Sequence, residues 1–558
     1  MCTRLYQLLG LLLVSTAGAQ QPVTVHVDAS RIESAFQPVW NYFGYDEANY
    51  TYTNNGRKLI RELVDLSETS PHIRTHFLLA TGDGTGGLKW GSTNAYTEDS
   101  FGRPIYDWSI VDRILSTYLD SGAKPFVEIG FMPRALSSNP EPYQPVWIPG
   151  TKNQQYAIGW TYPPKDYSKW GQLVYAWVRH CIEKYGKSEV ESWYWEVWNE
   201  PNISYWHGTP EEYNRLYDYT ADAVKRALPA AHIGGPASTS PRDPKAAAFL
   251  RQFLQHCSSG TNGATGKTGA PLDFISYHAK GQPSIVDQHV RMGLSQEIRD
   301  TIEGFRIVKS FPAFQHLPIV LTEADPEGCA ACSAQIYPPN VYRNGTLYPT
   351  YVATAMKAIL DLANREQINL KGILTWAFEF EDQPYFAGFR TLATNGVDKP
   401  VLNVFRMAGL MTGNRVTVES SQALPLDTLI SSGVREPEVD AIAVRSDRTL
   451  SVMVWNYRDD DVGGPDVPVQ LLLQGVAKAA GRILVHHYRI DQNHSNAYTV
   501  WKEMGSPQHP TAEQYSVLES AGQLELLQSP SWINVHDHTA EIDFSLPSQA
   551  ISLVHVSW

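Results

Sequence analysis

WYWEVWNEPN, residues 193–202, packs three tryptophans, a tyrosine and two glutamates into ten positions and closes on Asn-Glu-Pro-Asn. Aromatic and β-branched residues at this density specify a strand. Pro201 stops it, because proline lacks the N–H that a ladder needs. Glu200 therefore stands at the strand's end. An unpaired carboxylate costs several kcal/mol to bury, so this one must have a partner or a task.

Outward from this stretch, short apolar strands alternate with helix-like segments from about 38 to 405. The strand candidates are 39–45, 72–79, 124–131, 193–199, 232–237, 273–279, 318–324 and 373–380. Between them lie segments such as EEYNRLYDYTADAVKRAL, with apolar residues at helical spacing. Eight strands alternating with helices predict a (β/α)8 TIM barrel. A doubly wound sheet is the alternative, but no strand is followed by a glycine-rich phosphate loop. After 405 the pattern turns to strands separated by turn residues, with little helix. This predicts an all-β sandwich domain at the C-terminus. VTVHVD (23–28) alternates in the same way and could join that sandwich. The expected organisation is a leader at 1–19, an N-terminal strand at 20–37, the catalytic barrel at 38–405 and the β-sandwich at 406–558.

The 558 residues carry a net charge of −13, which argues against nucleic acid or an anionic membrane as partner. The 16 Trp and 29 Tyr suit a protein that stacks on sugars, and suit a large core equally well. Arg4, an apolar run at 8–14 and Ala17-Gly18-Ala19 read as a signal peptide, implying a secreted or periplasmic protein. That run is too short to span a membrane, and no later stretch approaches ~20 apolar residues. Beyond the leader stand Cys181, Cys257, Cys329 and Cys332. Cys329-Ala-Ala-Cys332 could be a local disulfide, two thiols or half a metal site, and no second pair completes the last. The disulfide is expected in an oxidising compartment. Cys181 shares a helix face with Trp177 and reads as core.

In a barrel, functional side chains gather at the C-terminal ends of strands. Glu200 ends the fourth and Glu323 the seventh. Glycoside hydrolysis needs such a pair, one protonated to serve the leaving oxygen and one ionised. It needs neither cofactor nor metal. Alone, either glutamate could be a salt-bridge partner at the barrel mouth. Asn199 lowers that reading, since its amide can bond a sugar hydroxyl, and so do the tryptophans expected around both sites. A catalytically silent carbohydrate-binding protein is the contrasting class, disfavoured because both carboxylates are present.

With KPFVEIGFMP, YPPKDYSKWGQLV, WNEPN, DFISYHAKG and LTEAD in this order, the chain resembles glycoside hydrolase family 39, which holds β-xylosidases and α-L-iduronidases. The resemblance runs from about 38 to the C-terminus and includes MGSPQHPTAEQ. It implies an oligosaccharide substrate, Glu200 as acid/base, Glu323 as nucleophile, and retention. It implies that Asn199 holds the 2-hydroxyl, that His278 and His76 bind substrate, that Trp376 floors the sugar site and that Glu381 accepts sugar hydroxyls. His76 could instead be a core histidine. Glu128 reads as an internal ion-pair partner. Glu379 and Glu381 are expected to share a strand face. Lys280 stands where several family xylosidases have an aromatic and where iduronidases hold a substrate carboxylate with lysine. Ala279 replaces the arginine of the iduronidase motif. Lys280 could otherwise pair with Glu379, Glu381 or Asp325. The closer match is to the β-xylosidase branch, with an iduronide or an arabinose-containing glycoside as the alternative.

Overall fold

The computed structural model describes residues 21–144, 158–376, 378–476 and 481–558; the expected leader lies outside them. Eight parallel strands close into a barrel. They are β1 (Tyr42–Tyr45), β2 (His72–Thr75), β3 (Lys124–Ile129), β4 (Tyr194–Val197), β5 (His232–Ser238), β6 (Phe274–Lys280), β7 (Ile319–Asp325) and β8 (Leu370–Trp376). Each falls within or overlaps one of the expected stretches. β8 stops at Trp376, short of the expected 380. Side chains take over the backbone there: Trp376 N donates to Asp325 Oδ1, and its carbonyl accepts from Arg390.

The crossover helices bury regular stripes. Pro210–Ala227 starts with a capping box, in which the Thr209 hydroxyl and Glu212 carboxylate satisfy each other's backbone N–H groups, and Pro210 occupies the first turn. Its buried positions, Tyr213, Leu216, Tyr217, Ala221 and Val224, recur at helical spacing. Cys181 is buried within Tyr167–Tyr185, as expected of a core residue.

Among the described residues, ten strands form one sheet beyond the barrel, nine along a single hydrogen-bonded path and one paired beside it, mostly antiparallel. Val23–Ala35 belongs to it, antiparallel to Asn414–Ser420 and parallel to Val467–Gln474. Strand faces turned toward one another share an aliphatic core that includes Val25, Val27, Ala441, Val452, Leu471 and Val554. The central strands Glu438–Arg445, Thr449–Tyr457 and Ala550–Ser557 are buried on both sides. Their other faces, with Ile442, Met453, Trp455 and Leu553, merge into the barrel core. Double burial explains why these strands read as near-continuous apolar runs. The last barrel helix is Pro400–Gly409 and the next strand starts at Asn414, so residue 405 lies inside a helix. A helical hairpin, Ala497–Glu503 and Ala512–Ala521, carries MGSPQHPTAEQ around its turn. Its Trp501 and Leu518 pack on Phe386 and Val397, in the region after β8.

Candidate active site

β4 ends at Val197, and the chain leaves it through left-handed turns at Trp198 (φ 73°) and Glu200 (φ 45°). Such angles in non-glycine residues are uncommon and mark functional positions. Glu200 N donates to the Ala237 carbonyl at 2.9 Å, fixing the turn. The carboxylate stays partly exposed, with Oε1 2.9 Å from His278 Nδ1. His278 rises from β6 and is fully buried.

Glu323 sits on β7 and is 5% exposed. Its Oε2 lies 2.7 Å from Lys280 Nζ and 3.7 Å from His278 Nδ1. Its Oε1 lies 3.6 Å from Arg74 and 4.0 Å from His76 Nε2. Burial alone would raise this carboxyl. His278, Lys280, Arg74 and His76 outweigh it and hold the group well below the usual carboxylate range. Glu323 is thus kept ionised. Carboxylate oxygens of Glu200 and Glu323 and a ring nitrogen of His278 lie within 4.8 Å of one another. Among the described residues these three are also side chains that could hold a metal ion, and Glu323 is already paired with Lys280.

Lys280 also reaches Asp325 Oδ2 at 2.6 Å. Of the three partners weighed for it from sequence, Asp325 is the one it meets; the contact with Glu323 was not foreseen. Burial disfavours its charge, yet Asp325 and Glu323 raise its pKa, so it stays an ammonium. Asp325 is pinned in turn by Arg390 at 2.6 Å, and Arg390 by Glu327 at 2.7 Å. Glu327 closes on Arg343 at 2.9 Å, beside the Cys329–Cys332 disulfide.

Arg74, fully buried on β2, organises the barrel floor. It lies 2.6 Å from Glu196 and 2.9 Å from Glu128, and donates to Asn199 Oδ1 at 3.0 Å. Burial, then Glu196 and Glu323, push the Glu128 carboxyl well up against the pull of Arg74. Glu128 is an internal partner, as its sequence context implied. His76 places Nδ1 2.9 Å from Asp46 and Nε2 3.2 Å from Glu128, with its ring 4.3 Å from that of Trp376. Both ring nitrogens thus face acids of the protein's own network. Trp376 donates its indole N–H to Asp46, which also holds Lys89 at 2.8 Å.

Glu379 and Glu381 lie beyond the end of β8, so they do not share a strand face. Glu379 is 1% exposed and accepts from Gly396 N at 2.9 Å, and burial pushes it up to about 8. Glu381 is partly exposed and held by Thr53 and Asn55. Of the two, Glu381 is the one a ligand can reach. The tryptophans do not all gather at the mouth as expected. Trp193 and Trp195 face outward, where Trp195 meets Trp177 at 5.7 Å. Strand alternation carries the signal: Glu196 points inward, so Trp195 must not. The sequence reading overlooked Arg74, Asp46, Lys89 and Arg390. Asp325, two residues from Glu323 on the same strand face, was the most legible addition.

A family model, glycosyl hydrolases family 39, matches residues 23–530. The chain belongs to glycosyl hydrolase family 39. It is a glycoside hydrolase, and its substrate is accordingly an oligosaccharide or other glycoside. A β-xylosidase of Caldicellulosiruptor saccharolyticus is 29% identical over 459 residues, covering 79% of this chain and 82% of that one. The α-L-iduronidase of Homo sapiens is 27% identical over 551 residues, covering 90% and 74%. A monomeric β-xylosidase from Caulobacter crescentus CB15 has the same fold, with a TM-score of 0.73 at 21% identity over 96% of this chain and 99% of that one. No helix among the described residues of this family 39 member is long and apolar enough to cross a membrane.

Proposed function

We propose that the chain is a retaining exo-β-xylosidase that releases D-xylose from the non-reducing ends of xylo-oligosaccharides. The observation that carries this is the unlike pair of carboxylates, Glu323 held ionised by four cationic or imidazole groups and Glu200 partly exposed, with oxygens within 4.8 Å. Retaining pairs stand about 5–5.5 Å apart, too close to admit a water between acid and sugar. Glu323 attacks the anomeric carbon as Glu200 passes a proton to the departing oxygen. Glu200, now ionised, takes a proton from water, and the resulting hydroxide equivalent displaces Glu323 with a second inversion. Asn199, whose oxygen Arg74 holds, offers its NH2 to the 2-hydroxyl. Trp376 forms the floor, and Glu381 accepts more distant hydroxyls. His278 orients both carboxylates.

A neutral sugar fits the charge arrangement. Lys280 is already shared by Glu323 and Asp325, and Arg390 by Asp325 and Glu327. Neither cation is spare for a substrate carboxylate. A second reading, an α-L-iduronide, is favoured by the presence of Lys280 so near the nucleophile. The leader-like residues 1–19 support a secreted or periplasmic location. Initial-rate NMR on p-nitrophenyl β-D-xyloside should show the β-anomer of xylose first. The α-anomer first would overturn retention, and faster cleavage of an iduronide than of the xyloside would replace the sugar.

A further inference from the structure

Building on the reading of Glu323 as nucleophile, we infer that Asp325 is a positioning residue for it, acting through Lys280 by drawing part of the lysine's ammonium away from the attacking carboxylate. Lys280 Nζ stands 2.7 Å from Glu323 Oε2 and 2.6 Å from Asp325 Oδ2, so the two carboxylates hold it almost equally. The β6–β7 register sets this up. Asp325 lies opposite Lys280, Glu323 lies opposite His278, and both acids point to the same face. Neither end of the lysine is free to drift. Its backbone N–H donates to Asp300 at 3.1 Å, and Asp325 is fixed by Arg390 and by the Trp376 N–H.

A nucleophilic carboxylate has two conflicting needs. It must stay charged in a site where burial opposes charge, and Lys280 serves that need. It must also present a free lone pair to carbon. An ammonium bound to it alone in a shielded cleft would hold that lone pair too strongly, since charge-assisted bonds are about twice as strong as neutral ones. A second acceptor resolves the conflict. Lys280, Arg390 and Arg343 face Glu323, Asp325 and Glu327, three charges of each sign. Removing Asp325 would leave a surplus positive charge and give the whole of Lys280 to Glu323. Other groups bear on the pair: Arg74, His76 and His278 on Glu323, and the buried Glu297 and Tyr348 on Asp325.

The test is the rate at which a 2,4-dinitrophenyl 2-deoxy-2-fluoro-β-D-xyloside traps the enzyme. That leaving group needs no protonation, so the rate reports attack alone. Peptide mapping of the label in the wild type comes first; a label on any residue but Glu323 sinks the nucleophile reading itself. Asp325→Asn should then slow trapping at least about tenfold, while in a Lys280→Met background the same change should alter it less than about threefold. Asp325→Asn trapping at the wild-type rate overturns the inference. So does an equal loss in both backgrounds, because the effect would not run through the lysine. If Asp325→Asn alone fails to fold, a change of more than about threefold between Lys280→Met and the double variant still overturns the inference. The double variant removes both charges of a buried pair together, the change such sites tolerate best.

Discussion

The barrel interior and the sandwich core are both closed to water but filled differently. The sandwich core is aliphatic, built from Val25, Leu471, Leu473, Val454 and their neighbours. The barrel interior beneath the site holds Arg74, Glu128, Glu196 and His76, each no more than 2% exposed. Buried polar and ionisable groups are rarely the cheaper filling, since taking them out of water costs free energy. The difference teaches that the barrel's charges are kept for what they do to the groups above them: Arg74 fixes Asn199, bears on Glu323 and lies 5.0 Å from the Trp376 ring. The aliphatic core of the sandwich carries no such load and can be optimised for packing.

That contrast breaks most visibly at Glu323. Glu323→Ala should cost roughly four to six orders of magnitude in kcat on p-nitrophenyl β-D-xyloside, with azide restoring turnover as the α-azide. A loss below a hundredfold would mean the barrel's charges serve some other group. Next comes Arg74→Met. It strands Glu196 and Glu128 and should cost about 3–5 kcal/mol in urea unfolding, together with most of the activity. A variant as stable as the wild type would show that the floor network is not under charge stress. Leu471→Ala, in the sandwich, should cost about 2–5 kcal/mol yet leave kcat/KM within about twofold well below Tm. Stability without activity is the sandwich's signature, and a large kinetic loss here would erase the distinction.

A smaller effect is expected at Lys280. Glu323 has its folded pKa depressed, so its ion pairing stabilises the protein above the unfolded value near 4.3 and is lost as pH falls toward the folded one. Lys280→Met removes one of four groups that lower it, so the acid limb of kcat/KM should move up in pH. An unmoved limb would mean that His278, Arg74 and His76 suffice. The smallest effect belongs to Cys329–Cys332. A ring this short constrains the unfolded chain by only about 2 kcal/mol, so Cys329→Ser should cost no more than that in the same urea titration.

The fold was legible because alternation and helical spacing are local signals. All eight barrel strands and the early strand at 23–28 could be read from them. The chemistry was legible where a residue follows closely on a strand's end, as Glu200 does three residues past Val197, or stands out within one, as Glu323 does. Arg74 was not. Its partner Glu196 is 122 residues away and meets it only when the barrel closes. The same holds for Arg390, which reaches Asp325 from the region beyond β8. Glu379 and Glu381 were misjudged because a run of Phe and Glu continues the strand pattern, while the pairing of β8 ends at Trp376, opposite Gly44, where Asp325 and Arg390 take its N–H and carbonyl.

The N-terminal strand sets a schedule for synthesis. Thr24 bonds Ser421 across 397 residues, and the whole of Val23–Ala35 finds its neighbours only in segments made after the barrel. At about 5–20 residues per second, the ribosome leaves this alternating apolar strand without a mate for roughly 20–80 s. Through that interval it is an open edge, the kind of template on which other chains pair. A chain that stalls before residue 414 would hold every barrel strand and still present that edge to its neighbours.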